Sequence, residues 1–324
     1  MKIAKKLLAF LCSVTLLAGC ASGTASGDNI YIDPVPVEEI MLEDEAVALA
    51  ASPAATGTAL MPVASGTAVD KNDRATIDRS NVSDGYVMVY FSGTTQTKLK
   101  VQVAGPNTTY NYDLPVQTWA TFPLSDGNGD YKVNVLENTT GNKYAFVLSG
   151  SFKATLNDEF APFIRPNQYV NYESNATNTV KKAAELAGSQ TDPLKKVELI
   201  YDFVVKNLTY DTDKASNVRP GYLPVLDTVL SNKKGICFDY AALMAGMLRS
   251  QGVPCKLVVG YAGTAYHAWI SVWTKETGWI DGVIYFDGST WHRMDPTFAS
   301  SGGGSDEIMK YIGDGSNYTS KYIY

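Results

Sequence analysis

Histidine and cysteine are scarce in this chain, with two histidines and four cysteines among 324 residues. There is no CxxC pair, no HxxxH pair and no carboxylate cluster, so we expect neither a metal nor another cofactor. Basic residues form no patch and the formal net charge is −6, which makes nucleic acid a poor partner. After the first 20 residues no apolar run reaches the length of about 20 residues that a membrane-spanning helix needs.

The first 19 residues have the pattern of a signal peptide. Lysines at the start precede an apolar run over residues 7–17, and a small-residue site follows directly before Cys20. This ending resembles a bacterial lipobox, which implies cleavage before Cys20 and attachment of lipid to its sulfur. An ordinary signal peptide with an incidental cysteine is the alternative. We therefore expect an extracytoplasmic protein that is lipid-anchored to the bacterial cell membrane through Cys20.

Residues 20–75 have the composition of a flexible tether. The stretch 21–70 contains no lysine or arginine, and seven acidic residues are followed by a tract of Ala, Ser, Thr, Gly and Pro. Such a sequence cannot bury enough apolar area to offset the loss of chain entropy on folding.

Residues 76–160 consist of short runs in which apolar and polar residues alternate, separated by turn-forming Gly, Asn and Pro. Tyr131, Val133 and Val135 alternate with Lys132 and Asn134, which is typical of a half-buried antiparallel strand. The pattern predicts a small β-sandwich of immunoglobulin-like type. It contains no catalytic constellation, so we expect a spacer or a binding module.

Residues 161–324 show helical patterns first and strand patterns later. Asp192 and Pro193 form a helix start signal before an apolar face that runs to Leu208. A further helix begins at Cys237, and strands follow from Lys256 onward. This order predicts an α+β domain in which the cysteine helix packs on an antiparallel sheet.

Cys237 lies behind Gly235 at the start of an apolar helix that ends before Gly252. The free N–H groups and the positive end of the helix dipole favour thiolate over thiol at such a place. The alternative is a buried cysteine with no chemical role. A thiolate at this position is a nucleophile that requires a base.

A base and a third partner follow along the chain. His267 opens a run of aromatic and branched residues that predicts a strand, and Asp295 follows another predicted strand. A core histidine and a turn aspartate are the alternatives. His292, three residues before Asp295, points to the opposite face of an extended strand and is expected at the surface or in a turn.

Four motifs in this order resemble the transglutaminase-like superfamily, a papain-like group of Cys-His-Asp enzymes. They are G-x-C-x-D-Y-A from Gly235, G-V-P-x-K-x-V-x-G-Y from Gly252, H-A-W from His267 and M-D-P-T from Met294. The resemblance covers roughly residues 170–300. It implies that Cys237 is the nucleophile, His267 the general base and Asp295 the residue that orients the imidazole. It also implies a papain/transglutaminase-like core, preceded here by the small β-sandwich.

Three further residues near the motifs carry expectations. The family often places an aromatic residue near the site, and Tyr210 is the candidate for a second oxyanion donor, with a core tyrosine as the alternative. Asp239 is expected to complement the helix dipole from the first turn, with a role in binding the substrate as the alternative. Cys255 is expected to be buried and unpaired, because a helix of some fifteen residues holds it too far from Cys237 for a disulfide.

These observations leave two classes of function open. The first is a thiol enzyme that acts on amide bonds of a protein or peptide substrate, by cysteine protease-type hydrolysis or by transglutaminase-type acyl transfer. A wall-peptide amidase differs from it only in substrate. The second is a non-catalytic surface binding or scaffold protein that retains the fold. The expected partners are a protein or peptide substrate of the cell envelope and the membrane that holds the anchor.

Overall fold

The computed structural model describes residues 59–172, 177–281, 284–286, 291–293, 297, 300 and 316–324. The predicted signal peptide, Cys20, most of the predicted tether and Asp295 lie outside these residues. In the part of the chain that is described, no helix is long and apolar enough to cross a membrane.

Eight antiparallel strands form the first region, in two four-stranded sheets of order β1-β2-β3-β6 and β5-β4-β7-β8. The strands are β1 (Val69–Lys71), β2 (Ala75–Asp78), β3 (Tyr86–Phe91), β4 (Leu99–Ala104), β5 (Thr109–Asp113), β6 (Ala120–Pro123), β7 (Gly129–Thr140) and β8 (Lys143–Ala154). Val87, Val101 and Val135 come from both sheets and are completely buried in the core. The chain therefore has the sheet-rich N-terminal region that the alternating pattern predicts.

Regular structure begins before the predicted boundary at residue 75. The backbone N–H of Gly66 donates to the Asp78 carboxylate at 2.7 Å, and that of Ala68 donates to the Ser80 hydroxyl at 2.9 Å. These contacts hold the chain as it enters β1, which then pairs with β2. Composition does not reveal such contacts, because they depend on which side chains the fold brings near the segment.

Among its described residues, the second region has five helices with defined bounds, together with the remaining strands. The helices are α1 (Thr177–Ala187), α2 (Pro193–Asn207), α3 (Thr212–Asn217), α4 (Leu226–Asn232) and α5 (Cys237–Ser250). The strands are β9 (Thr209–Tyr210), β10 (Lys234–Gly235), β11 (Cys255–Ala262), β12 (Ala265–Thr274), β13 (Gly278–Asp281), β14 (Ile284–Phe286), β15 (Trp291–Arg293) and β16 (Tyr318–Ile323). The main sheet has the order β13-β12-β11-β16 and is antiparallel.

Helix α5 is the centre of this region. It packs against β11 and β12 on one side and against α1, α2 and α4 on the other. Every residue from Asp239 to Ser250 is buried, as expected of a helix that is covered all round. The α+β prediction, with the cysteine helix packed on an antiparallel sheet, is confirmed.

The start of α2 shows why its prediction was possible from local residues. The Asp192 carboxylate accepts a hydrogen bond from the backbone N–H of Leu194 at 2.9 Å, and Pro193 occupies the first helical position. The side chain satisfies one of the free N–H groups that every helix start leaves unpaired. The predicted cap is therefore confirmed.

Candidate active site

Cys237 is the first residue of α5, directly after the extended residue Ile236. It is partly exposed and unpaired, whereas the helix beyond Asp239 is buried. The first backbone N–H groups of a helix have no partner within it and carry its positive end. The sulfur is therefore carried by the one turn of α5 that combines access from solvent with a favourable field for an anion.

The carboxylate of Asp239 holds this helix start in place. Its Oδ2 accepts hydrogen bonds from the backbone N–H of Ile236 at 2.8 Å and from Lys214 Nζ at 2.7 Å. Its Oδ1 accepts from the Tyr222 hydroxyl at 2.5 Å. The acid thus caps the helix at its third residue and is also neutralised by a lysine, a larger role than the dipole complement expected from the sequence.

Lys214 and Tyr222 are the site residues that the sequence does not reveal. Lys214 belongs to α3 and Tyr222 to the loop after it, 25 and 17 residues before Asp239. The Lys214 ammonium also donates to the Tyr222 hydroxyl and lies 4.0 Å from the centre of its ring. No local motif joins the three residues, because their contacts are created only when α3 folds against the start of α5.

Gly235 is required by the same arrangement. A Cβ atom at this position would lie 2.6 Å from the Asp239 Cβ and 3.0 Å from its Oδ2. Both distances are shorter than real side chains allow without displacement of a neighbour. The glycine before the cysteine therefore makes room for the acid that caps the helix.

The backbone brings Tyr210 alongside this turn. Strands β9 and β10 pair in parallel, with Tyr210 opposite Gly235, and the N–H of Asp211 donates to the Gly235 carbonyl at 2.9 Å. Tyr210 is half-buried. The predicted oxyanion residue thus lies beside the chain two residues before Cys237, and its role as a donor stays a prediction.

His267 is a buried residue of β12, where it pairs with Gly260 of β11. The centre of its ring lies 6.3 Å from the rings of both Trp269 and Tyr318. Alternation along the strand places it on the same side as Trp269, whereas Ala268 lies in the core cluster that contains α5.

Tyr266, the residue before His267 in β12, interacts electrostatically with Cys237 at the start of α5. Tyr266 is 52% exposed. Partial desolvation of its hydroxyl raises its pKa, followed by the effects of Tyr322 and Tyr261, and Cys237 makes the last of the contributions. Cys237 and the start of β12 therefore lie in the same part of the molecule.

The second cysteine of the folded region has the properties that the sequence predicts. Cys255 is unpaired and buried at the start of β11. Burial raises the pKa of its thiol to about 12, so it stays protonated and inert near neutral pH. Of the cysteines that the structure describes, Cys237 is the one that reagents can reach. Among the same residues no group of three His, Cys, Asp or Glu side chains could hold a metal ion.

Comparison with known proteins finds a family similarity in this region. Residues 180–282 match the family described as "Transglutaminase-like superfamily". The uncharacterized protein YebA of Bacillus subtilis (strain 168) is 20% identical over 195 residues, which cover 54% of this chain and 26% of that protein. The protein-glutamine gamma-glutamyltransferase of Pseudomonas aeruginosa is 32% identical over 68 residues, 17% of this chain and 10% of that protein. The chain thus matches 26% and 10% of the lengths of these two relatives.

A solved structure with a similar fold is the periplasmic domain of TgpA from Pseudomonas aeruginosa bound to ethylmercury. It superposes with a TM-score of 0.35 at 17% identity, over 76% of this chain and 79% of that one.

Proposed function

We propose that this chain, in which residues 180–282 form a transglutaminase-like core, is an extracytoplasmic thiol enzyme that acts on amide bonds of proteins or peptides. The observation that carries the proposal is the partly exposed Cys237 at the first residue of a buried helix, with Asp239 capping that helix start. His267 is proposed as the base and Asp295 as the residue that orients it.

The reaction begins with attack of the Cys237 thiolate on a carboxamide carbon. The carbon–nitrogen bond breaks and a thioester forms, while His267 passes the proton that it took from the thiol to the leaving amine or ammonia. A carboxylate at the other ring nitrogen would hold the tautomer and stabilise the imidazolium. The Cys237 N–H, at the helix start, and Tyr210 are the proposed donors to the oxyanion, and each such donor is typically worth about 3–4 kcal/mol.

Two outcomes differ only in what resolves the thioester. Water gives hydrolysis, and an amine gives transfer with a new amide bond. The name of the Pseudomonas relative makes transfer the first reaction to test. We would incubate the full chain with a glutamine-rich protein and a dansyl amine: incorporation of the label indicates transfer, and new chain termini indicate hydrolysis. Cys237→Ala is the blank. The absence of both products would support the non-catalytic scaffold instead.

A second test separates an enzyme from a scaffold without knowledge of the substrate. Iodoacetamide should alkylate Cys237 well below pH 8, and the reaction should be at least about tenfold slower in His267→Ala. His292→Ala is the matched control, because it removes the other histidine and should leave the rate unchanged. Equal rates in all three proteins would contradict a base role for His267.

The anchor is proposed on the lipobox-like site alone. Lipid on Cys20 would hold the enzyme at the outer face of a bacterial membrane, where envelope proteins and peptides are its substrates. Membrane fractionation checks this: the natural chain should sediment with the membrane and Cys20→Ala should not.

A further inference from the structure

We propose that Lys214 and Tyr222 are positioning residues for Cys237, and that Lys214 keeps the sulfur reactive by neutralising the buried carboxylate of Asp239. The inference deepens the proposed function and rests on it. Neither residue belongs to the cysteine, histidine or aspartate motifs.

The burial of Asp239 is the first reason. Its side chain has no exposed surface, whereas the Lys214 side chain is 26% exposed. A buried carboxylate is strongly unfavourable unless a cation and hydrogen bonds compensate it. Lys214 supplies the charge at 2.7 Å, and Tyr222 and the Ile236 N–H supply the hydrogen bonds. One carboxylate joins α3 and the loop after it to the start of α5. A substitution of Lys214 should therefore change the environment of the first turn of α5.

Tyr222 remains a donor under all ordinary conditions. Burial, followed by the charge of Asp239, raises the pKa of its hydroxyl far above the usual value. Its ring also lies edge-on to Phe238, 6.4 Å between centres, and Phe238 is the residue directly after Cys237. The tyrosine therefore contacts the helix start twice, through its hydroxyl and through its ring.

The charge of Asp239 acts on the sulfur because both lie in the first turn of α5. A bare carboxylate opposes the formation of a thiolate, and Lys214 cancels that effect. One unit charge at about 7 Å changes a neighbouring ionisation by about one pH unit or somewhat more at an effective dielectric constant of about 20 to 40. Loss of Lys214 should therefore raise the pH at which the sulfur ionises, and loss of the Asp239 charge should lower it.

Other ionisable groups surround the same turn. Lys234 in β10 lies 3.1 Å from the Asp211 carboxylate and 3.9 Å from that of Asp213. From the sheet side, Tyr266 of β12 interacts electrostatically with Cys237. The substitutions below leave these groups in place, so the shifts report the pair of Lys214 and Asp239.

The test is the rate of alkylation of Cys237 by iodoacetamide between pH 5 and 10 in the full chain, followed by mass spectrometry of the peptide that contains Cys237. We expect the midpoint of the profile to move up by about one pH unit in Lys214→Met and down by a similar amount in Asp239→Asn. Lys214→Arg should keep the profile of the natural chain, because it preserves the charge. Tyr222→Phe should give a smaller upward shift, because it removes one hydrogen bond and no charge.

Two internal controls accompany the measurement. Lys195→Met removes the lysine of a surface ion pair with Glu198. The neighbouring Lys196 donates to the Gln251 carbonyl, just past the far end of α5 from Cys237. This substitution should leave the alkylation profile unchanged. Labelling of buried Cys255 reports unfolding. Should Asp239→Asn unfold, the contrast between Lys214→Met and Lys214→Arg still decides.

Shifts of the same sign in Lys214→Met and Asp239→Asn, or no difference between the Met and Arg variants while Cys255 stays protected, would overturn the inference. Failure of the proposed function is a separate result. A chain that shows the opposite shifts but neither transfers nor hydrolyses would remove the enzymatic proposal alone.

Discussion

At the scale of single residues, Gly235 shows how a backbone position supports the site. Its missing Cβ leaves the space into which Asp239 turns to cap α5. We expect Gly235→Ala to lower the free energy of unfolding by about 1–3 kcal/mol, the usual range for overpacking, and to slow alkylation of Cys237. Urea denaturation measures the first effect. Lys234→Ala is the matched control: that side chain is exposed, and such ion pairs contribute little. Equal stability of Gly235→Ala and the natural chain would mean that the acid can move aside without cost.

Some residues of the site could be predicted from the sequence around them, and others depend on contacts with distant parts of the chain. The place of Cys237 at the start of a helix could be predicted because its glycine, its helix pattern and the motif around it are local. Cys255 could be predicted as buried and unpaired for the same reason. Lys214 and Tyr222 could not, since a lysine on a short helix and a tyrosine in a loop acquire their role only through contact with Asp239. Asp295 lies outside the described residues, so its place in the triad stays a prediction.

At the scale of elements, α5 is held at its other end by Arg249. This completely buried guanidinium donates to three backbone carbonyls: Cys255 at 2.8 Å, Arg165 at 2.9 Å and Tyr324 at 2.6 Å. We expect Arg249→Met to lower the free energy of unfolding by about 3–5 kcal/mol. The Cys255 and Arg165 oxygens lose the guanidinium as a donor, and the Tyr324 oxygen keeps only the backbone N–H of Leu257 at 2.9 Å. Chemical denaturation measures the loss. Arg219→Met, at an exposed position, should stay within about 0.5 kcal/mol of the natural chain. A loss below about 1 kcal/mol in Arg249→Met would show that water replaces the guanidinium.

Elements with a periodic pattern of apolar residues could be predicted from the sequence, and elements without such a pattern could not. The amphipathic pattern and the Asp192 cap predicted α2, and the alternation of Tyr131, Val133 and Val135 predicted a strand that is the middle of β7. Strands β9 and β10 have two residues each, too few to show a period. Strand β5 was missed although it has a signal: Tyr110 and Tyr112 are buried on either side of the polar Asn111. These tyrosines are core residues because they pack on Tyr324, a residue far along the chain.

At the scale of the whole molecule, a cluster of tyrosines joins the sheet-rich region to the region that carries Cys237. Tyr110 and Tyr112 of β5 lie 5.7 and 5.9 Å from the ring of Tyr324, which stacks on Tyr169 at 3.9 Å. Burial raises the pKa of Tyr169 to about 12. A second link runs through Arg165, whose guanidinium lies 5.1 Å from the centre of the Tyr86 ring in β3. The two regions therefore share one continuous core.

This shared core predicts that the regions unfold together. Tyr324 is 4% exposed, and Tyr324→Ala should cost about 3–5 kcal/mol, as for other large aromatic truncations. Far-ultraviolet circular dichroism follows both regions, whereas tryptophan fluorescence reports mainly the second, which holds four of the five tryptophans. The two thermal transitions should coincide in the natural chain and separate in Tyr324→Ala. Tyr90→Ala is the matched control, because Tyr90 packs on Trp119 within the first region and should lower stability without separating the transitions. Two separate transitions already in the natural chain would mean that the tyrosine cluster is only a contact surface, and that helix α5 keeps its geometry independently of the sheet-rich region.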